Sequence, residues 1–541
     1  MANIVYFTGT RGGYDTAWSV AAFGAQTSTK FDLLDDNFIA RQSNDGVGFT
    51  YSGDTVTGGK ITATSFFSSR GEPMAVYTGL DVAVTERTKL LGAATSGYAY
   101  EQYVLRGNDT VRGSDWDDTL AGSKGSDTFD GGKGMDLLSF RGFGEAVTVN
   151  LAAGQAITTS GTSKLLNIED VDGTAFADTL TGNAGDNQFQ GYAGNDKING
   201  GAGFDSALYT DATAAVKVNL ATGMVTGGSG SDVLASIERV VGSRFGDVLT
   251  GSAADEFFSG GLGNDTIDGG GGTLDTIEYG TATGAVDVNL ATGKSSGAAG
   301  IDTITNIEGV IGSAFNDKLT GNAGMNMLIG GYGDDQLNGG AGMDIMVGGD
   351  GNDTYYVDDQ FDLITELGTG IANGGTDTVY ATVSYMLNAN VEILRLGSTA
   401  NINGTGNALD NGIVGNAGAN VLNGMAGYDT LTGGAGKDTF VFNTALVRNV
   451  DTITDFSAVD DTIQLENAIF TRLTAANVAL SAANFVANTA GTAVDSNDYI
   501  VYDSDSGALY YDADGNGAGV AVKFAVLTGH PAITAADFYV V

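Results

Sequence analysis

Apolar side chains recur every nine residues along much of this chain, each standing between polar or glycine positions. The unit reads G-G-x-G-x-D-x-U-x, where U is apolar, and residues 113–139 contain it as GSDWDDTLA, GSKGSDTFD and GGKGMDLLS. One inward-facing residue in x-U-x predicts a very short strand, because successive side chains of a strand point to opposite faces. The eighth positions form the predicted core: Leu120, Phe129, Leu138, Leu180, Phe189, Ile198, Leu249, Phe258, Ile267, Leu319, Leu328, Leu337, Leu422, Leu431 and Phe440.

The units follow one another in frame, which predicts a solenoid rather than a set of globular domains. We count 21 units in five blocks. Two units make one coil, so sixth-position aspartates of alternate units are expected to stack along one edge, where a cation between coils relieves their repulsion. The blocks run from a degenerate unit at Val104 through 113–139, then over 173–208, 242 to about 277 with one inserted residue, 312–356 and 406–441.

A longer period of 69 to 70 residues lies above the short one, marked by AVTVNLAAG at 146, AVKVNLATG at 215 and AVDVNLATG at 285. The alternating apolar residues of these linkers predict strands that add wider coils rather than separate globules. An aromatic residue opens each following block where glycine is usual, and we expect it to cap the core there: Trp116, Phe176, Phe245 and Phe315.

Two flanks lack the nine-residue unit. Residues 1–103 contain alternating stretches and are predicted to form a β-rich docking or cap module, and residues 443–541 a carboxy-terminal cap. The predicted organisation is therefore 1–103, a solenoid over 104–442, and 443–541. The predicted fold class is all-β, a parallel β-solenoid with β-rich caps at both ends.

Composition adds a strong requirement for cations. The 541 residues include 85 glycines and no cysteine, and 65 acidic against 24 basic residues give a formal net charge of -41. Aspartate outnumbers glutamate 53 to 12, as suits tight turns in which a short carboxylate reaches a hard cation. With 42% hydrophobic residues, the chain should fold, and its charge predicts neither nucleic-acid partners nor membrane insertion.

These units resemble the repeats of the RTX (repeats-in-toxin) family, whose members form a parallel β-roll with Ca²⁺ between turns. The resemblance implies that sixth-position side chains are calcium ligands. With ligands from alternate units, the number of units in each block predicts roughly 11 or more bound ions. Asparagine at some sixth positions and the inserted residue before Asp275 predict weaker sites there. The implied metal ligands are Asp109, Asp118, Asp127, Asp136, Asp178, Asn187, Asp196, Asp205, Asp247, Asp265, Asp275, Asp317, Asp335, Asp344, Asp353, Asp429 and Asp438.

The carboxy-terminal segment 443–541 resembles the export region of RTX proteins that leave the cell by type I secretion, down to an acidic-then-aliphatic tail at Asp537–Val541. The amino terminus lacks the basic and apolar regions of a signal peptide. The resemblance therefore implies a secreted, extracellular or cell-surface protein, with the type I secretion machinery as a partner.

Residue types argue against catalysis. The single histidine, His530, lies in the export region, so neither an HExxH zinc site nor a Ser-His-Asp triad is expected. We expect no catalytic residues and no cofactor besides Ca²⁺. The favoured hypothesis is a structural protein that self-assembles as a surface-layer, matrix or filament subunit, with itself and cell-surface polysaccharide as partners. Two alternatives stay open: a secreted RTX enzyme, either a hydrolase or one acting on polysaccharide, and a calcium-dependent adhesin.

Overall fold

A computed structural model describes residues 108, 110–113, 116–366 and 374–541, together with the backbone of six strands nearer the amino terminus. The described chain is all-β with two short 3-10 helices, and short parallel strands repeat along it, which confirms the predicted fold class. None of the described residues form a helix long and apolar enough to cross a membrane. The chain divides into two compact units, Met1–Gly272 and Thr273–Val541.

The first unit begins with the six backbone-described strands. Strands β4, β5 and β6 pair as an antiparallel meander, and β1 pairs antiparallel with β6. Their bounds are β1 Asn3–Tyr6, β2 Ala22–Gln26, β3 Lys30–Leu34, β4 Ala40–Ser52, β5 Thr55–Ser68 and β6 Pro73–Ala83.

The repeat strands of the first unit are three to six residues long. They are β7 Thr110–Arg112, β8 Thr119–Ala121, β9 Thr128–Asp130, β10 Leu137–Ser139, β11 Thr148–Asn150, β12 Gln155–Thr158, β13 Gly161–Leu166, β14 Asp170–Asp172, β15 Thr179–Thr181, β16 Gln188–Gln190, β17 Lys197–Asn199, β18 Ser206–Leu208, β19 Val216–Asn219, β20 Met224–Gly227, β21 Val233–Ala235, β22 Arg239–Val241, β23 Val248–Thr250, β24 Phe257–Ser259 and β25 Thr266–Asp268.

Alternate nonapeptides pair in parallel, one coil apart. Leu180 of β15 lies opposite Ile198 of β17, and Phe189 of β16 lies opposite Ala207 of β18. One sheet of this unit runs β8-β10-β14-β16-β18-β22-β24. All fifteen predicted core residues of the eighth positions are buried in the two units, because the middle residue of each x-U-x strand is the one that points inward.

The linkers between blocks add strands to the coils, as the apolar alternation predicted. Strand β11 pairs in parallel with β15 of the next block and β13 with β9 of the previous one, while β12 lies antiparallel between them. Strand β19 joins β23 in the same way. Val149 and Val218 are buried, so the linkers extend the same core.

The strands of the second unit continue the pattern and then lengthen. They are β26 Thr276–Glu278, β27 Val286–Asn289, β28 Lys294–Gly297, β29 Thr303–Thr305, β30 Gly309–Ile311, β31 Lys318–Thr320, β32 Met327–Tyr332, β33 Gln336–Asn338, β34 Ile345–Asp350, β35 Thr354–Val357, β36 Leu363–Thr365, β37 Thr378–Ala381, β38 Tyr385–Met386, β39 Ile393–Leu396, β40 Gly404–Thr405, β41 Gly412–Val414, β42 Val421–Asn423, β43 Thr430–Thr432, β44 Thr439–Phe442, β45 Asp451–Ile453, β46 Thr462–Leu465, β47 Val478–Ala479, β48 Phe485–Asn488, β49 Ile500–Asp503, β50 Ala508–Tyr511, β51 Val522–Leu527 and β52 Phe538–Val540.

The carboxy-terminal segment packs onto the last coils of this unit. Strand β51 continues the parallel ladder from β45, and β52 continues the one from β46. Antiparallel pairs then follow, β49 with β50, β50 with β51, and β47 with β52. The 3-10 helices Ala482–Asn484 and Ala535–Asp537 lie in the same segment. A change from parallel to antiparallel pairing ends the repeating edge that another chain would otherwise extend.

The aromatic residues at the block entrances do not cap the core, contrary to the prediction. Trp116 is 68% exposed, Phe176 46%, Phe245 37% and Phe315 43%. They occupy the fourth position of their units, which in many other units holds a glycine at positive φ, such as Gly194 at 150°. That position lies on the outer side of the turn, so its side chain faces solvent.

Candidate calcium sites

The predicted ligands lie inside the coil edges rather than on the surface. Asp109 falls outside the described residues. Each of the other sixteen is 4% exposed or less: Asp118, Asp127, Asp136, Asp178, Asn187, Asp196, Asp205, Asp247, Asp265, Asp275, Asp317, Asp335, Asp344, Asp353, Asp429 and Asp438. Buried carboxylates need hydrogen-bond donors or cations.

One oxygen of most of these carboxylates binds the backbone of the preceding coil. The Asp317 N–H donates to Asp335 Oδ1 at 2.7 Å, and the Asp335 N–H donates to Asp353 Oδ1 at 2.8 Å. The same bond joins Asp178 to Asp196 at 2.8 Å. Sixth-position carboxylates therefore stack one coil apart, and each accepts the backbone N–H of the preceding aspartate in the ladder.

The second carboxylate oxygen has no hydrogen-bond donor in many of the predicted ligands that the structure describes. These Oδ2 atoms are buried, and no donor from the described residues reaches them. They belong to Asp136, Asp196, Asp205, Asp335, Asp344, Asp353, Asp429 and Asp438. Burial raises the pKa of Asp335 to about 8 and those of Asp136 and Asp196 to about 7. A hard divalent cation beside each bare oxygen would offset both the desolvation and the repulsion.

The glycines of the unit leave room for this arrangement. A β-carbon on Gly330, at the first position, would lie 2.1 Å from Asp335 Oδ2. Gly333, at the fourth position, has a φ of 117°, and a β-carbon there would lie 2.6 Å from the backbone of Phe315. The repeat thus needs glycine once for the carboxylate and once for the close approach of coils.

The aspartates at block entrances differ, because protein donors already fill both of their oxygens. Asp317 Oδ1 accepts the Val286 N–H at 2.7 Å and the Ser313 hydroxyl at 2.8 Å, and Oδ2 accepts the Ser313 N–H. Asp178 and Asp247 are held in the same way. These three residues stay predicted ligands, but their geometry favours a capping role.

Where asparagine holds the sixth position, its side-chain NH₂ group donates a hydrogen bond to a backbone carbonyl. Asn187 Nδ2 donates to the carbonyl of Glu169 at 2.8 Å, while its Oδ1 accepts the Asn183 N–H at 2.8 Å. Asn420 Nδ2 likewise donates to the Ile402 carbonyl at 2.6 Å. Asn187 therefore stays a predicted ligand whose amide is hydrogen-bonded at both ends without a cation.

This difference gives a first prediction. Asn420→Asp puts a carboxylate oxygen against the Ile402 carbonyl, so the variant is expected to bind one more Ca²⁺ per chain than the native protein. In chelator it should be less stable by about 1–3 kcal/mol, the cost of a lost buried hydrogen bond. Calcium titration calorimetry and thermal unfolding measure the two effects. Asn401→Asp, at an exposed position, is the control, and an unchanged ion count in Asn420→Asp would refute the reasoning.

Acidic residues outside the nonapeptides continue the ladder, and the sequence analysis missed them. Glu169, Glu238 and Glu308 accept the N–H of the aspartate that ends the preceding block, at 2.8 to 3.1 Å. The sequence NIE or SIE, which recurs in the linkers, could have predicted these glutamates. Aspartates that also accept a ladder N–H are Asp232, Asp362, Asp377, Asp451 and Asp461.

Coils of short parallel strands with a buried aspartate ladder at their edge define a calcium-binding β-roll. A family model for the RTX calcium-binding nonapeptide repeat matches residues 104–138, 172–207, 239–273, 320–355, 329–364 and 406–443. The chain therefore contains RTX calcium-binding nonapeptide repeats in these segments. A search of curated proteins finds none that matches it.

Proposed function

We propose that this chain is a secreted structural protein of the cell exterior, which assembles with copies of itself into a surface layer, matrix or filament when calcium is present. In this proposal it is a scaffold and not an enzyme. The observation that carries the proposal is the repeated exposure of aromatic side chains at the block entrances.

These aromatic residues repeat an exposed apolar side chain at equivalent positions of successive blocks. Phe176 and Phe245 in the first unit and Phe315 in the second hold the same position of the repeat, and each is more than a third exposed. Exposed apolar groups that recur on a soluble protein are typical of binding surfaces. Repetition also lets weak contacts act together, so that a partner with the same period binds far more tightly than one contact would allow.

Charge explains why calcium would control assembly. A chain with a formal net charge of -41 repels its own copies. Calcium bound within the coils lowers that charge, and calcium between acidic surfaces bridges them. A chain exported where calcium is scarce would therefore stay apart and fold and assemble only outside the cell.

Export is the second part of the proposal. RTX repeats are typical of secreted proteins, and residues 443–541 resemble an export region read by type I secretion machinery. The same segment packs on the last coils of the second unit through β51 and β52. It would thus serve first as an export signal and then as the cap of the folded solenoid.

A calcium-dependent adhesin is the second candidate, favoured by a stacked pair of tyrosines. Tyr356 and Tyr380 lie on neighbouring strands with ring centroids 5.5 Å apart and planes 15° apart. They are 39% and 41% exposed. A flat aromatic surface of this kind suits the apolar face of a sugar ring, so cell-surface polysaccharide is the ligand to test.

Light scattering of purified protein during calcium addition tests the assembly proposal. The native chain is expected to grow from monomer to large assemblies, and a variant with Phe176→Ser, Phe245→Ser and Phe315→Ser to stay small while binding calcium normally. The control carries Tyr332→Ser, Phe361→Ser and Met386→Ser, which are 63 to 64% exposed but lie outside the block entrances. A native chain that stays monomeric at high concentration in millimolar calcium contradicts the proposal. Polysaccharide binding by that monomer would favour the adhesin.

A further inference from the structure

Three acidic side chains converge in the second unit, where the fourth block of nonapeptides, residues 312–356, gives way to longer coils. One ligand oxygen from each of Asp353, Glu366 and Asp377 lies within 4.8 Å of the other two. The residues are 1%, 8% and 0% exposed. Only Asp353 belongs to a nonapeptide of the predicted set, and Glu366 and Asp377 lie outside the segments that match the repeat family.

The topology brings these residues to one edge of the solenoid. Asp353 precedes β35 and Asp377 precedes β37, and the two strands pair in parallel with Thr354 opposite Thr378. Glu366 follows β36 in the other sheet. It stands one coil after Gly348, a first-position glycine where a β-carbon would lie 2.1 Å from Asp353 Oδ2. Glu366 therefore occupies the position that a first-position glycine holds in the repeat, beside the carboxylate.

In each of these three carboxylates, one oxygen accepts a hydrogen bond. Asp353 Oδ1 accepts the Asp335 N–H at 2.8 Å, and Asp377 Oδ1 accepts the Asp353 N–H at 2.7 Å. The Tyr355 hydroxyl donates to Glu366 Oε1. These bonds fix the orientation of all three side chains before any ion arrives.

The other oxygen of each carboxylate accepts no hydrogen bond from the described residues. Asp353 Oδ2, Glu366 Oε2 and Asp377 Oδ2 are buried, and no donor in the described part of the chain reaches them. Burial raises the pKa of Asp377 to about 8, and the charge of Glu366 adds to the rise. Burial likewise raises the pKa of Glu366 to about 7. Three buried oxygens that repel one another and lack donors are the environment a cation would stabilise.

We propose that Asp353, Glu366 and Asp377 bind one Ca²⁺ ion at a site of three side-chain carboxylates, of which only Asp353 belongs to the nonapeptide repeat. Oxygen ligands from carboxylates suit calcium, and affinity rises with the number of charged ligands and with the rigidity of the site. Both properties are present here, so this ion is expected to be among the last that a chelator removes.

The site would join three stretches of chain that are separate in sequence. The bound ion would tie the end of the block at 312–356 to the coil that begins at β37, and through Glu366 to the opposite sheet. In a solenoid each coil is stabilised mainly by its neighbours, so an ion at this position would couple the coils on its two sides. The inference does not depend on assembly or export and would survive the failure of either.

Counting the calcium retained by the full chain after passage through a chelating column tests this site. Glu366→Gln and Asp377→Asn each keep the size of the side chain and are expected to retain one ion fewer than the native protein. Asp358→Asn, an exposed acidic residue of the same coil, is the matched control and should retain the native number. Native counts in both Glu366→Gln and Asp377→Asn would overturn the proposal.

Circular dichroism shows whether those variants fold in calcium. If they do not, a second measurement tests the site. Terbium replaces calcium at oxygen sites, and its emission is excited through a nearby tyrosine. Tyr355 donates to Glu366, so the first equivalent of terbium bound to native protein should emit strongly, and in Tyr355→Phe that emission should fall at least several-fold. Equal emission from both proteins at the first equivalent would overturn the site.

Discussion

Removal of calcium at neutral pH is expected to unfold the repeat region of this chain, and its return to refold it. The reason is the set of buried oxygens without donors, which includes Asp136, Asp335 and Asp438. An uncompensated buried charge costs about 3–5 kcal/mol where it has been measured. Two or three such losses equal the whole stability of a typical domain, about 5–15 kcal/mol.

Circular dichroism and calorimetry in excess chelator and in millimolar calcium measure this effect. The signal of β-structure and the heat of a cooperative transition should both disappear in chelator and return with calcium. Magnesium is the control, because it prefers six ligands in a tight octahedron and keeps its waters, so it should restore little. The same cooperative fold in chelator and in calcium would contradict a calcium-dependent solenoid.

The core was predictable because the eighth position of each nine-residue unit forms it. Leu180, Phe258 and Leu337 are each fully buried, as their eighth position required, and no long-range information was needed to place them. The pairing of coils follows from the same count, since strands two units apart face each other.

The aromatic residues at block entrances were predicted wrongly for a related reason. Hydrophobicity alone assigned Phe176 and Phe315 to the core, whereas the turn geometry decides where the fourth position points. In many other units that position is a glycine at positive φ on the outside of the turn. A side chain placed there faces solvent whatever its polarity.

The state of each ligand depended on neighbours that the pattern of aspartates ignores. Ser313 at the second position of its unit donates to Asp317, and Ser123 donates to Asp127 at 2.8 Å. A serine or threonine at the second position was therefore a readable signal for a capped aspartate. The cluster around Glu366 had no such signal, because its members are brought together only by the coil geometry.

Acid is expected to stabilise the calcium-free fold, opposite to its effect on the calcium-loaded one. In the calcium-free chain, burial raises the pKa of Asp335 to about 8 and of Asp136 to about 7, and those of Asp344 and Asp438 to about 6. The ordinary value for aspartate is 3.8. A folded-state pKa above the unfolded one gives stability that is fully present below pH 3.8 and is lost as pH rises through about 6 to 8.

The size of this effect grows with the number of carboxyl groups that bind a proton on folding. Each one changes the free energy of unfolding by at most about 1.4 kcal/mol per pH unit. Several buried groups titrate in the same range, so the calcium-free chain should pass from largely unfolded near pH 8 to largely folded near pH 5. Calcium needs the ionised carboxylates, so protons compete with it, and the loaded protein should lose stability over that same fall in pH.

Thermal unfolding followed by circular dichroism across this pH range, on metal-free protein and on protein in millimolar calcium, measures both slopes. Asp335→Asn removes the carboxyl group with the most strongly raised pKa of the four, and it should flatten the metal-free slope while leaving the fold possible at neutral pH. Asp505→Asn changes an exposed aspartate of the carboxy-terminal segment and should leave the slope unchanged. A metal-free chain whose stability falls from pH 8 to pH 5 would mean that the buried carboxylates are already compensated by the protein, and calcium would then not be what holds the coils together.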